Sequence, residues 1–249
     1  MRRNITTNAL ILRTRRIGEY HKLVTCLTPA LGLVDALAYG AYKGKSKLSG
    51  ITEPYTFLSL HLYYNPVKKA YKVTEAEEHV PYTVVRGSLA RVYRASLFSE
   101  IVLKSFGGGG DSADIFLLLK DAFFVLDTCS TEKMDFVVIQ FLWRFLMLSG
   151  MIPDLNSCEK CSRHVGLGEI LVYSPEENVF FCKQCGGTGH YRLNGGERRY
   201  LEYTFRQTFT RAVQTGLVKS SVVPLRQLLL VMVQNFLEYP LNSLKNNVL

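Results

Sequence analysis

Apolar and polar positions change their period near Pro81. Before it, Leu58, Leu60 and Leu62 alternate with Ser59 and His61, the period of two that puts one strand face in a core and the other in solvent. Residues 8–13, 23–27, 33–39 and 70–74 form similar short runs of apolar, β-branched or aromatic residues, and with 57–63 they predict five strands. Pro29, Gly32, Gly44, Gly50, Pro54 and Pro66 punctuate them at turn positions. Five strands in about seventy residues suit a small OB-type barrel, although an SH3-like barrel would show much the same pattern.

After Pro81 the spacing becomes helical. Leu89, Tyr93, Leu97 and Ile101 share one face, and Gly107 to Gly110 interrupt. Asp111 or Ser112 then caps a second helix that carries Ile115, Leu118, Ala122 and Leu126. Asp135 opens a third, ending at Gly150 with Pro153 beyond. Two further helices are expected over residues 197–215, stopped by Gly216, and 224–239, stopped by Pro240. The fold class is therefore α+β and multidomain: a barrel over 1–80, then a helical domain over 81–249 carrying an insert at about 155–195. No internal repeat is visible.

The insert holds Cys158-x-x-Cys161 and Cys182-x-x-Cys185, separated by 20 residues. Two such knuckles fit a structural zinc site, in which four thiolates close a tetrahedron and leave no position open for chemistry. Gly186 and Gly187 suit a tight turn beneath the sulfurs. A disulfide pair or a redox motif are the alternatives, but a redox CxxC usually opens a helix after a buried strand. His164 and His190 flank the knuckles and are weaker ligand candidates. Cys26 and Cys129 lie in apolar runs and read as core residues. Thiols kept free for metal imply a reducing cytoplasm.

Charge divides the chain more sharply than hydropathy. Residues 1–72 hold twelve basic side chains against Glu19, Asp35 and Glu53, so the whole formal charge of +9 lies in this first third. Such a field attracts polyanions, and counterion release strengthens binding to phosphate backbones. Tyr20, Tyr39, Tyr42, Tyr55, Tyr63, Tyr64 and Tyr71 are interleaved with the charge, and exposed rings stack bases with little regard to sequence. Nucleic acid is the expected partner; an acidic protein or membrane surface, or a merely solvated face, are the alternatives. Lys43-Gly-Lys45-Ser-Lys47 is the sharpest candidate, because small residues between the lysines allow close backbone approach. Arg13, Arg15, Arg16 and Lys22 are further candidates on charge.

Catalytic chemistry finds little support. The glycine run lacks the Lys-Ser/Thr pair of a phosphate loop and reads as a connection. Asp111 and Asp114 fit the first turn of a helix, where acids favour the dipole. Glu75, Glu77 and Glu78 read as a surface linker between strand and helix. No nucleophile–base arrangement can be built from the scattered histidines. The amino terminus has no signal-peptide core, and the apolar run 136–148 is broken by Gln140 and Arg144 and too short to cross a bilayer.

Several segments together carry a resemblance. At the front are Ala9-Leu-Ile-Leu-Arg13, Gly18-Glu19-Tyr20, Leu27-Thr28 with Leu31-Gly32, Ala38-Tyr-Gly-Ala41 followed by Lys45-Ser46, and Thr74-Glu75-Ala76-Glu77. Ser99-Glu100, Leu148-Ser-Gly150 with Pro153, and Asn242-Ser243 followed by Lys245 continue it. With the cysteine quartet in this setting, the chain resembles the bacterial RecO family of recombination and repair mediators over nearly its whole length. The resemblance implies an OB fold, a helical domain and a structural zinc ion on Cys158, Cys161, Cys182 and Cys185. It implies a non-catalytic, cytoplasmic and nucleoid-associated protein that binds single- and double-stranded DNA and anneals complementary strands. The implied partners are RecR, the acidic tail of the single-strand-binding protein and, indirectly, the recombinase RecA, with no membrane. It supports Arg13, Lys43, Lys45 and Lys47 as DNA contacts, and Arg144 as a receiver of the tail carboxylate or a member of a buried salt bridge. The competing class is a zinc-stabilised interaction scaffold that touches DNA only incidentally.

Overall fold

The computed structural model describes residues 3–44, 46–105 and 112–244. Lys45, the glycine run 107–110, Asp111 and Lys245 lie outside the described residues. The chain forms two compact units, one running to Thr128 and the other beginning at Cys129.

In the first unit, β1 (Asn4–Ile17), β2 (His21–Thr28), β3 (Gly32–Ala38), β4 (Phe57–Asn65) and β5 (Ala70–Val80) close a barrel in the order β1-β2-β3-β5-β4. Neighbours are antiparallel except β3 and β5, which run parallel with Leu37 beside Lys72. This closure is the OB-type arrangement. The barrel is lined by Ala9, Ile11, Val24, Cys26, Val34, Ala36, Leu58, Leu60, Leu62 and Val73, alternate residues of every strand. Closing the ladder removes exposed strand edges, so the outer face is free to carry charge.

Strand β1 is buried on both faces over Ala9, Leu10, Ile11 and Leu12. The reason is a layer of helix outside the barrel. A short α1 (Leu48–Ile51) follows β3, and after β5 come α2 (Thr83–Arg86), α3 (Leu89–Ser105) and α4 (Ser112–Thr128). Helices α3 and α4 lie against β1 and β2. Phe57 meets Phe116 and Tyr55 meets Phe123 edge to face at 6.2 and 5.7 Å, and the Tyr55 hydroxyl bonds Ser96 at 2.7 Å. The barrel therefore shares its compact unit with helices that begin beyond residue 80.

Strand β5 also continues farther than its apolar pattern suggests. Glu75, Glu77 and Glu78, expected in a linker, pair instead with His61, Ser59 and Leu58 of β4. Their side chains are exposed, so the ladder sets the strand's length while the acids remain in solvent.

The second unit is built around α5 (Met134–Leu148), which follows a 3-10 turn over Thr131–Lys133. Residues 137–143 are buried without interruption, the mark of a central helix apolar on all sides. The helix expected over 197–215 is two: α7 (Gly195–Phe205) and α8 (Phe209–Gln214). The break follows from Thr208, whose hydroxyl accepts from the Arg211 N–H as a new N-cap. Helix α9 (Lys219–Leu237) starts earlier than Pro224, packs on α5 and β8, and buries Leu225, Leu229, Met232 and Val233. Among the described residues it alone is long and apolar enough to cross a membrane, with a mean hydropathy of 1.2, yet half of it is buried as a core helix.

Between α5 and α7 lies a small sheet in the order β7-β6-β8, from β6 (Leu171–Ser174), β7 (Val179–Cys182) and β8 (Tyr191–Leu193), with a helical turn α6 (Lys183–Gly186) after β7.

Candidate functional site

The cysteine cluster is assembled from two local turns. In the first, the Cys158 N–H donates to the Arg163 carbonyl at 3.0 Å and the Ser162 N–H to the Cys158 carbonyl at 2.8 Å, folding 158–163 into a knuckle. The Glu159 N–H donates to the Phe180 carbonyl at 3.1 Å and so ties this knuckle to β7. In the second, Cys182 ends β7 and the chain rolls into α6, bringing Cys185 back beside it. Gly187 then takes φ +57°, and a Cβ on Gly186 would lie 2.5 Å from Val172, so both glycines of the expected turn are required there.

The four sulfurs lie within 4.8 Å of one another, and Cys161 and Cys182 are 4.0 Å apart. A tetrahedron with metal–thiolate bonds of about 2.3 Å has edges of about 3.8 Å, so the donor set fits a four-coordinate soft metal ion. All four donors are protein thiols, which is the composition of a closed structural site. Neither His164 nor His190 joins the cluster among the described residues.

Crowding perturbs the thiols as this geometry requires. The Cys185 N–H and then the Arg163 guanidinium draw Cys182 down to about 6. Hydrogen bonds to the Cys182 and Cys161 sulfurs push Cys185 up to about 12. Arg163 is in turn gripped by Glu169 at 2.7 and 3.2 Å, and Glu169 accepts from the Gly166 N–H at 2.9 Å. A cation is thereby fixed beside sulfurs that become anionic when they bind metal.

A buried arginine docks the first knuckle's segment onto α7. The Arg198 guanidinium donates to the carbonyls of Gly166 at 2.6 Å, Leu155 at 2.5 Å and Val165 at 3.2 Å. Asn194 and Glu197 form a reciprocal capping box at the helix start, and a Cβ on Gly195 would meet the Leu167 carbonyl at 2.4 Å. Sequence reading passed over Arg198; the Asn194-Gly-Gly-Glu197 pattern was the available signal for the helix start beside it.

Arg144 is likewise engaged in the fold. Its guanidinium donates to the Thr204 and Gln207 carbonyls at 2.9 and 2.7 Å, closing the end of α7, and lies 5.5 Å over Phe209. Gln140 beneath it donates to Tyr200 and Thr204 at 3.1 and 2.9 Å.

On the barrel, Arg13, Arg15 and Arg16 are exposed along β1, and Lys43 and Lys47 are exposed in the loop after β3. Lys22 departs from the expectation of a surface contact: its side chain has no exposure. The strand period places it with Val24 and Cys26 on the inner face, at the barrel mouth. There its ammonium donates to Glu53 at 2.7 Å and to the Ser49 carbonyl at 2.9 Å. Lys22 is thus a structural cation, and its period-two register with Val24 and Cys26 was the sequence signal for that.

Taken together, the molecule is an OB-type barrel joined to a helical unit that carries a four-cysteine centre. Two family descriptions match it: Recombination protein O N terminal over residues 1–82 and Recombination protein O C terminal over 86–245. The chain belongs to the recombination protein O (RecO) family. It is similar to the DNA repair protein RecO of Heliobacterium modesticaldum, 34% identical over 171 residues that cover 68% of this chain and 60% of that protein. The protein of the same name from Desulfosudis oleivorans is 27% identical over 186 residues, 73% of this chain and 71% of its own length. That from Desulforamulus reducens is 23% identical over 239 residues, covering 95% and 89%.

Proposed function

We propose that this chain acts in DNA repair and recombination as a non-catalytic mediator. It binds single- and double-stranded DNA, anneals complementary strands and helps load RecA on DNA coated with single-strand-binding protein, working with RecR and with that protein's acidic tail. Membership of the RecO family supports the repair role. The observation that carries the DNA-binding part is the barrel's exposed charge: Arg13, Arg15, Arg16, Lys43 and Lys47 stand in solvent, while Lys22 is held inside by Glu53.

The mechanism follows from the kind of contact. Arginines and lysines meet phosphates without reading bases, so they neutralise the repulsion between two strands and leave the base edges free to pair. The barrel, residues 1–80, is the DNA-binding part. The four cysteines hold a structural zinc ion, since a four-thiolate tetrahedron with no open position is the zinc donor set. Zinc there organises the module between α5 and α7 and takes no part in a reaction.

The test is annealing of dye-labelled complementary oligonucleotides coated with single-strand-binding protein, with and without this chain. Acceleration is expected, and Lys43→Glu/Lys45→Glu/Lys47→Glu should abolish most of it and lower the salt slope of binding by about three. An unchanged slope removes that loop from the contacts. No acceleration by folded, metal-loaded protein overturns the annealing role.

A further inference from the structure

Three tyrosines crowd the barrel end where the β1–β2 turn meets the loop after β3. Tyr20, Tyr39 and Tyr42 are 48%, 46% and 38% exposed, although a large aromatic ring would lose free energy by remaining in water. The exposure is built in. The Tyr42 N–H donates to the Tyr20 carbonyl at 3.0 Å, and the Lys43 N–H to the Gly40 carbonyl at 2.9 Å. Gly40 takes φ +66° and donates its own N–H to His21 Nδ1 at 3.0 Å. The His21 ring meets Tyr39 edge to face at 5.0 Å. These contacts brace the loop so that the rings stand out from the barrel.

Each ring carries a cation. Lys43 lies 5.8 Å over Tyr20, Lys72 5.4 Å over Tyr39, and Arg16 5.2 Å over Tyr42. Lys72 reaches this place because the parallel β3–β5 pairing sets it beside Leu37. Of the three acids in this third of the chain, Glu53 faces Lys22, Asp35 accepts from Thr25 at 2.6 Å, and Glu19 is exposed beside Tyr20, with its backbone carbonyl accepting from Arg16 at 2.7 Å. His21, Tyr39, Gly40, Lys43 and Ser46 line a cleft of about 580 Å³ between rings and charge.

Alternating rings and cations suit a ligand that alternates flat π-surfaces with phosphates. Only an unpaired strand offers both, because in a duplex each base face is covered by its neighbours and the rings find nothing to stack on. We propose that Tyr20, Tyr39 and Tyr42 form a stacking site for the unpaired bases of single-stranded DNA, with Lys43 and Lys72 on the flanking phosphates. This rests on the DNA-binding function proposed above and adds selectivity to it. The backbone contacts at Arg13, Arg15 and Lys47 hold either form of DNA, whereas the tyrosine site holds only unpaired strand. Pairing withdraws the bases from the rings, so the site lets go of a strand as it becomes product.

The experiment is fluorescence anisotropy with labelled oligothymidylate and with a blunt duplex, using the full chain. Tyr39→Ala and the triple Tyr20→Ala/Tyr39→Ala/Tyr42→Ala variant are compared with the triple phenylalanine variant. The triple alanine variant is expected to bind oligothymidylate about tenfold or more weakly and duplex within about twofold of the parent, at an unchanged salt slope. Phenylalanine should retain the affinity, since it keeps the stacking surface. Photocrosslinking of 5-iodouracil-substituted oligonucleotide to the unaltered protein needs no variant to fold, and its adduct should map to one of the three tyrosines. Equal losses on both probes, no loss on single strand, or adducts confined to other residues overturn the stacking site alone. Unaltered protein that binds neither probe overturns the DNA-binding function with it.

Discussion

The barrel and the cysteine module reach order by opposite means. The barrel closes its hydrogen-bond ladder through five strands, the shortest of seven residues, around an apolar interior. The module has three strands of four, four and three residues, too little sheet to stand alone in water. In the barrel, Lys22 and Cys26 apart, the candidate DNA contacts Arg13, Arg15, Arg16, Lys43 and Lys47 lie outside and can change without disturbing the core. In the module the residues with chemistry are part of the framework: Cys158 and Cys182 are buried beside a small apolar set, Leu171, Val172, Phe180 and Leu193, and Arg198 ties the carbonyls of Leu155, Val165 and Gly166. A substitution of a reactive side chain should therefore spare the fold in one region and destroy it in the other.

The largest effect should come from Cys158→Ser or Cys182→Ser. Four-thiolate sites contribute on the order of 10 kcal/mol of folding free energy. Bound metal, measured by emission spectroscopy, should fall from one ion per chain to none. Amide-exchange protection should collapse over 157–193 and persist in β1–β5. Protection that survives in the module would show that its strands hold without metal and would erase the contrast.

Next is Arg198→Ala. It removes a cation from three carbonyls in a site only 2% exposed, and should cost about 3 kcal/mol. Urea unfolding followed by the fluorescence of Trp143, in the same unit, reads this directly. A loss below about 1 kcal/mol would leave the metal alone holding the knuckle.

The smallest effect belongs to the barrel and is read with alkali. Cys26 is buried among apolar side chains, and burial followed by the charge of Asp35 pushes its thiol from 9.0 up to about 12. Because the folded value is the higher, its contribution is complete below pH 9 and declines as pH rises toward 12. The slope is at most about 1.4 kcal/mol per pH unit. Amide exchange in β2 at pH 8 and pH 10 should show local stability falling by about that amount, and Cys26→Ala should remove the decline. A wild-type barrel as stable at pH 10 as at pH 8 would place that thiol in contact with water.

Much of this is legible in the amino-acid sequence. Leu58, Leu60 and Leu62 announce an inward strand face because period two follows from the extended backbone itself. The cysteine spacing announces the cluster because each CxxC is one local turn. Other features depend on partners distant in sequence. Glu75, Glu77 and Glu78 read as linker because their strand is specified by β4 across the ladder. Helix α4 joins the barrel's unit because Phe116 and Phe123 find Phe57 and Tyr55, and α3 because Ser96 finds the Tyr55 hydroxyl. The break between α7 and α8 turns on one hydroxyl, Thr208, which competes with helix continuation at a cost no periodicity registers.

The barrel strands, the long helices, the place of the charge and the four candidate metal donors were readable from the residues alone, because these depend on local geometry and on composition. Tertiary structure alone decided what each charge does. Strand period hints that Lys22 faces inward with Val24 and Cys26, but only the fold brings Glu53 and the Ser49 carbonyl to seal it, while Lys43 stands over Tyr20 in solvent. Arg144 and Arg198 are assigned to backbone carbonyls only once the chain around them has folded. A charged side chain's energy depends on the dielectric and the partners around it, and those are fixed when distant segments meet.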